Sequence, residues 1–296
     1  MTSYLDAIAA FHRRRLESDR RDPEALAAAA RSVADPPRSF TAAILAARAA
    51  RAPALVAEIK RRSPSRGDLA PGLDAGRLAG DYAEGGASCL SVLTEAEHFA
   101  GSPDDLAQAR SATALPVLRK DFTLSPRDVF DARIMGADAV LLIVALLDEA
   151  ELLECLRAAT ELNMAPLVEV HDEGEAARAL DAGADLIGVN QRDLRSFEVD
   201  PDRALALRSA LGTDLLTVAE SGIASGGDVA RLWAAGYDAV LVGEALLTSG
   251  DPAGAVRALL GAAHTPPALL GGAHTAGAQV ADGPGTLRED RPEACS

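Results

Sequence analysis

The chain has 296 residues, 48% hydrophobic and 25% charged, the balance of a folded globular protein rather than a disordered one. Its 29 basic residues face 44 acidic ones, a net charge of −15, which argues against nucleic acid or an anionic membrane as partner and requires any anionic ligand to be held by a local site. Three distant cysteines (Cys89, Cys155 and Cys295), the lack of histidine pairs at ligand spacing and the lack of about 18 consecutive apolar residues leave no sign of a disulfide framework, a metal motif or a membrane span. The N-terminal MTSYLDAIAAFHRRRLESDRRD is charged and amphipathic rather than secretory, so a cytoplasmic location is expected.

Residues 1–50 read as a helical extension. Leu5, Ile8, Ala9 and Leu16 recur at helical spacing, Pro36-Pro37 interrupts, and Ser39 is placed to cap a helix running through Ala50. Short β-prone apolar runs then follow at 54–60, 89–94, 116–121, 139–145, 165–170, 186–190, 215–220 and 239–245, with room for a helix between each pair. Eight such strands predict an α/β fold, a (β/α)8 TIM barrel spanning 51–260, with a flavodoxin-like open sheet as the alternative. The phrases EGGAS, MGADA, DAGADL and AAGYDA, before every second strand, each offer a glycine suited to ending a helix in the left-handed conformation. Residues 261–296 are rich in Ala, Gly and Pro without hydrophobic period, and are expected to form a flexible tail.

In such a barrel the chemistry lies at the C-terminal ends of the strands. Those ends carry Glu58 and Lys60, Lys120, Glu169, Asn190, Glu220 and Ser221, and Gly243 and Glu244. Lys60 and Lys120 are the only lysines in an otherwise all-arginine basic set. Lysine can surrender a proton and arginine cannot, so the two could mark sites of proton transfer or be mere leftovers of composition. Glycine-bearing turns after the seventh and eighth strands suit a phosphate group. Neither a GxxxxGK[ST] nor a GxGxxG motif is present, so no nucleotide cofactor is expected, nor a metal. His171, beside Asp172, reads as part of a solvated helix cap more readily than as a base.

Six segments in register, AEIKRRSPSRG (57–67), LRKDF (118–122), LVEVHD (167–172), GVNQRDLRSFEVD (188–200), AESGI (219–223) and LVGEAL (241–246), resemble the indole-3-glycerol-phosphate synthase family. The resemblance covers about residues 1–260 and implies ring closure of 1-(2-carboxyphenylamino)-1-deoxyribulose 5-phosphate with loss of carbon dioxide and water. It implies Lys120 as general acid, Glu169 as general base, Lys60 near the substrate carboxylate or else as the acid of the dehydration, Arg192 as a second carboxylate contact, and Glu58 and Asn190 holding sugar hydroxyls. Glu220 would tune Lys120, while Ser63, Ser221, Gly222, Gly243 and Glu244 would grip the phosphate, the last two through backbone N–H groups. Phe122 and Phe99 would line the anthranilate slot. A small phosphorylated substrate, and contact with other tryptophan-pathway enzymes, are the partners it implies. A phosphoribosylanthranilate isomerase-like barrel would need another acid–base pair, and a non-catalytic phosphate-binding barrel would have no use for both Lys120 and Glu169.

Overall fold

The computed structural model describes residues 4–64 and 66–263. Eight strands, β1 (Ala54–Ile59), β2 (Cys89–Leu93), β3 (Val117–Lys120), β4 (Ala139–Ile143), β5 (Ala165–Val170), β6 (Leu186–Asn190), β7 (Leu216–Glu220) and β8 (Ala239–Val242), close into a barrel in which β8 returns to pair with β1. All pairings within the barrel are parallel. This is the (β/α)8 architecture the alternation predicts, and the open-sheet alternative falls with the closure. Helices cover the outside, so most strand residues are buried on both faces and read as continuous apolar runs.

Two runs extend past the ends of the strands they contain by more than one residue. After Ile143 the chain enters a 3-10 turn, Val144–Leu146, whose Val144 and Leu146 are themselves buried, so hydrophobicity alone gives no sign that the strand has ended. After Val242 it passes through Gly243 into the short helix Glu244–Leu247.

The repeated phrase has a mechanical role. Gly86, Gly136, Gly183 and Gly236 all have φ between 85° and 97°, the left-handed region, and turn the chain from helix to strand. Two residues on, a side chain accepts a backbone N–H near the start of the preceding strand: Ser88 from Leu55 (3.4 Å), Asp138 from Val117 (2.8 Å) and Asp238 from Thr217 (2.9 Å). Neighbouring strands are thereby pinned in register at the barrel floor.

The extension forms three helices, α1 (Tyr4–Ser18), α2 (Pro23–Arg31) and α3 (Phe40–Ala49). Ser39 caps α3 by accepting the Ala42 N–H. Arg38 binds Asp138 through its backbone and the Thr113 and Leu115 carbonyls through its guanidinium, holding the segment before α3 against the floor. Helix α1 is tied to the barrel elsewhere, with Arg13 on Glu151 and Arg15 on Asp128. The last described helix spans Pro252–Ala263, and the predicted tail beyond it, with Cys295, lies outside the described residues.

Candidate active site

A cavity of about 640 Å³ opens at the C-terminal ends of the strands, within the size range of small-molecule sites. All fourteen residues singled out from the sequence line it: Glu58, Lys60, Ser63, Phe99, Lys120, Phe122, Glu169, Asn190, Arg192, Glu220, Ser221, Gly222, Gly243 and Glu244. Strand alternation delivers several of them, since residues two apart share a face: Glu58 with Lys60, Gly188 with Asn190, Leu241 with Gly243.

Strand β3 shows how the local sequence achieves this. Arg119 turns away from the cavity and donates to Thr94 Oγ1 (3.1 Å), Asp121 Oδ2 (2.9 Å) and the Asp128 carbonyl (2.8 Å). Lys120 turns inward. Its Nζ lies 3.0 Å from Glu169 Oε2 and 2.5 Å from Glu220 Oε2, so one ammonium bridges two buried carboxylates.

The two carboxylates are in unequal surroundings. Burial would raise Glu169, but the Lys120 ammonium, the His171 ring and the Asn190 amide (3.0 Å) outweigh it and hold this carboxyl below its ordinary range. Glu220 is pushed up to about 7: burial, assisted by the charge on Glu169, exceeds the help of Lys120. Lys120 loses from burial yet gains more from Glu169, Glu220 and Glu58, and is held above its usual value as a cation.

His171 is only 12% exposed rather than solvated. Its Nδ1 meets Glu175 at 2.9 Å and its Nε2 lies 3.4 Å from Glu169 Oε1. Burial opposes its charge, but the Glu169 and Glu175 carboxylates beside it raise it to about 10. It stands behind Glu169 as a second cation, a placement that the adjacent acidic residues Asp172 and Glu173 obscured in the sequence.

Two glycines on the inner face make room for carboxylates. A Cβ on Gly188 would lie 2.2 Å from Glu220 Oε1, and one on Gly243 would lie 2.6 Å from Glu58 Oε1. Glu58 in turn holds Lys60 Nζ at 2.5 Å.

At the rim beyond β7, Ser221 and Gly222 have φ of 64° and 71°. For serine this conformation costs roughly 1–2 kcal/mol. Gln191 Nε2 fixes it by donating to the Ser221 carbonyl (2.7 Å), and Val199 packs where a Gly222 side chain would be. Ser63 Oγ accepts the Arg66 N–H at 3.2 Å, and Arg66 reaches across to Glu244 (3.0 Å), joining the loops after β1 and β8. The Glu244 carboxylate is thus engaged with a neighbouring loop, while its backbone lies at the cavity. Arg192 donates to the Phe197 carbonyl (2.9 Å), and its N–H meets Asn190 Oδ1 (2.9 Å). Phe99 and Phe122 form one wall, ring centroids 6.1 Å apart. Arg66, Glu95 and Asp121 also line the cavity and were not singled out beforehand. Asp121 directly follows Lys120, where strand alternation points to the Arg119 side rather than to the cavity; the other two lie on loops, where no periodicity points.

The geometry is matched by kinship. The family model for indole-3-glycerol phosphate synthase matches residues 5–259. An indole-3-glycerol phosphate synthase of Polaromonas sp. (strain JS666) is 45% identical over 262 residues, 88% of this chain and 99% of that protein. One from Mycobacteroides abscessus is 50% identical over 213 residues (72% and 78%), and indole-3-glycerol phosphate synthase 2 of Streptomyces coelicolor is 48% identical over 232 (78% and 88%). A solved 3-hexulose-6-phosphate synthase from Salmonella typhimurium, 19% identical, superposes with a TM-score of 0.57 over 71% of this chain and 98% of that one, a likeness of fold alone. With a family model spanning the whole barrel and relatives this similar, the chain belongs to the indole-3-glycerol phosphate synthase family.

Proposed function

We propose that this cavity closes the indole ring of 1-(2-carboxyphenylamino)-1-deoxyribulose 5-phosphate, releasing carbon dioxide and water, as a carboxy-lyase of tryptophan synthesis. The observation that carries the reading is the Lys120 ammonium bridging Glu169 and Glu220, with Lys60 on Glu58 across the same cavity.

The reaction needs a group that stabilises negative charge on a ketone oxygen while the ring carbon bearing the carboxylate attacks the ketone carbon. Lys120 is held as a cation and is therefore in acid form when substrate arrives. It polarises the oxygen and transfers its proton as alkoxide charge develops. That transfer removes the charge that chiefly depressed Glu169. The carboxylate then becomes a stronger base at the stage when the ring system must lose a proton to become aromatic, while Lys60 gives the departing hydroxyl the proton with which it leaves as water. Lys60 and Arg192 orient the carboxylate that is lost as carbon dioxide. Glu58 and Asn190 hold the sugar hydroxyls, an entropic contribution. Glu220 moderates Lys120. Ser63, Ser221, Gly222 and the backbone of Gly243 and Glu244 take the phosphate, and Phe99 with Phe122 the aromatic ring.

In this reading catalysis belongs to residues 51–260, with 1–50 as a helical brace and 261–296 as a tail. A cytoplasmic setting suits a biosynthetic enzyme whose described cysteines, Cys89 and Cys155, are free buried thiols. Contact with other tryptophan-pathway enzymes rests on the family alone. The test is stoichiometry: purified protein given this substrate should release one carbon dioxide per indole product formed, and binding without either product overturns the reading.

A further inference from the structure

His12, Glu95 and His98 are brought together at the edge of the cavity, one from α1 and two from the loop after β2, with their ligand-type atoms all within 4.8 Å of one another. No spacing rule finds this group, because only the fold joins the helical extension to that loop.

Three features of the cluster go beyond packing. First, the Glu95 carboxylate is oriented in advance: Oε2 accepts the backbone N–H groups of His98 (2.6 Å) and Phe99 (3.1 Å), which turns Oε1 toward the two imidazoles. Second, that oxygen lies 3.0 Å from His98 Nδ1 and 3.6 Å from His12 Nε2. Atoms bound tetrahedrally to one zinc ion by bonds of about 2.0–2.1 Å stand roughly 3.3–3.4 Å apart, so the three need only small shifts to share an ion. Third, His12 is 1% exposed, and among the described residues neither of its ring nitrogens has a hydrogen-bond partner. A buried imidazole in that condition is costly unless something binds it.

We infer that His12, Glu95 and His98 form a binding site for one divalent transition-metal ion of zinc-like preference, with two imidazoles and one carboxylate as protein ligands. Glu95 lines the cavity, which supplies the ion's entry path and a side open to water. Metal binding needs both imidazoles neutral with a free nitrogen lone pair facing the ion, so affinity falls at low pH. The ion would fasten α1 to the loop that carries Phe99, beside Phe122, which packs on His12 at 5.1 Å between centroids. Its role would be to hold the aromatic wall, not to enter the chemistry at Lys120.

The test is equilibrium binding of Zn²⁺ to the full chain prepared free of metal, beside His98→Ala, His12→Ala and the double variant. One ion per wild-type chain is expected, with affinity at least 100-fold weaker in each variant, and Zn²⁺ should raise the melting temperature of the wild type alone. Co²⁺ should give the intense visible bands of a four-coordinate site in the wild type and not in His98→Ala, a part-buried loop position where the variant's far-UV circular dichroism should match the wild type. Wild-type protein that binds no ion overturns the inference. So does binding that survives in the double variant, which would place the ion elsewhere on the chain.

Discussion

Arg119 and Lys120 are adjacent in the chain and turned to opposite sides of β3: the first is locked by three hydrogen bonds behind the strand, the second bridges two carboxylates in the cavity. The two cations do different work. Arg119 needs a planar fork with a permanent charge, and lysine cannot reproduce its contacts to Thr94, Asp121 and the Asp128 carbonyl together. Arg119→Lys should therefore lower stability by roughly 2 kcal/mol or more, read by urea denaturation. An unchanged midpoint would mean that the network contributes nothing.

Glu220 makes stability depend on pH in a stated direction. Its pKa rises on folding from an ordinary 4.5 to about 7, so the folded protein binds this proton more tightly than the unfolded chain. That contribution is complete below about pH 4.5 and is lost as pH climbs through 7. Glu220→Gln removes this slope, and the stability difference between variant and wild type should shift in favour of the variant between pH 5 and 7.5. Chemical denaturation across that range checks it, and parallel curves would contradict the assignment.

His171 acts through Glu169. The imidazolium, raised to about 10, helps to keep Glu169 ionised. His171→Gln should move the acid limb of the kcat/KM profile upward by about one pH unit, with KM at pH 8 nearly unchanged. A residue that served packing alone would lower activity without moving the limb.

Gly188 keeps space for Glu220, so Gly188→Ala should displace that carboxylate and cut kcat by tenfold or more while the fold survives. Gly80 is the control: it lies inside the helix Ala75–Gly85 with nothing near a new Cβ, and Gly80→Ala should stabilise by about 0.5–1 kcal/mol without kinetic effect. Stability and initial rates measured on both variants separate the two roles.

The barrel was legible because its signals are local. Apolar runs mark the strands, left-handed glycines mark the returns, and strand alternation sends Glu58, Lys60, Lys120, Glu169, Asn190 and Glu220 inward. Two strand ends were overrun by more than one residue, where a buried 3-10 turn and a short helix continue the same hydrophobicity. The sequence conceals what depends on long-range approach: His12 reaching Glu95 from the extension, Arg66 crossing to Glu244, and Gln191 fixing the Ser221 turn. His171 was hidden differently, since neighbouring acids suggest water whereas the fold places it against Glu169.

The central claim is that Lys120 must hand over a proton, and the most direct measurement is the rise of indole fluorescence when carboxyphenylamino-deoxyribulose phosphate meets wild-type protein or Lys120→Arg. The account predicts rapid turnover in the wild type and a loss of about 10²–10⁴-fold in kcat for the variant, with substrate still bound. Turnover in Lys120→Arg close to that of the wild type would contradict it, because arginine keeps the charge and withholds the proton.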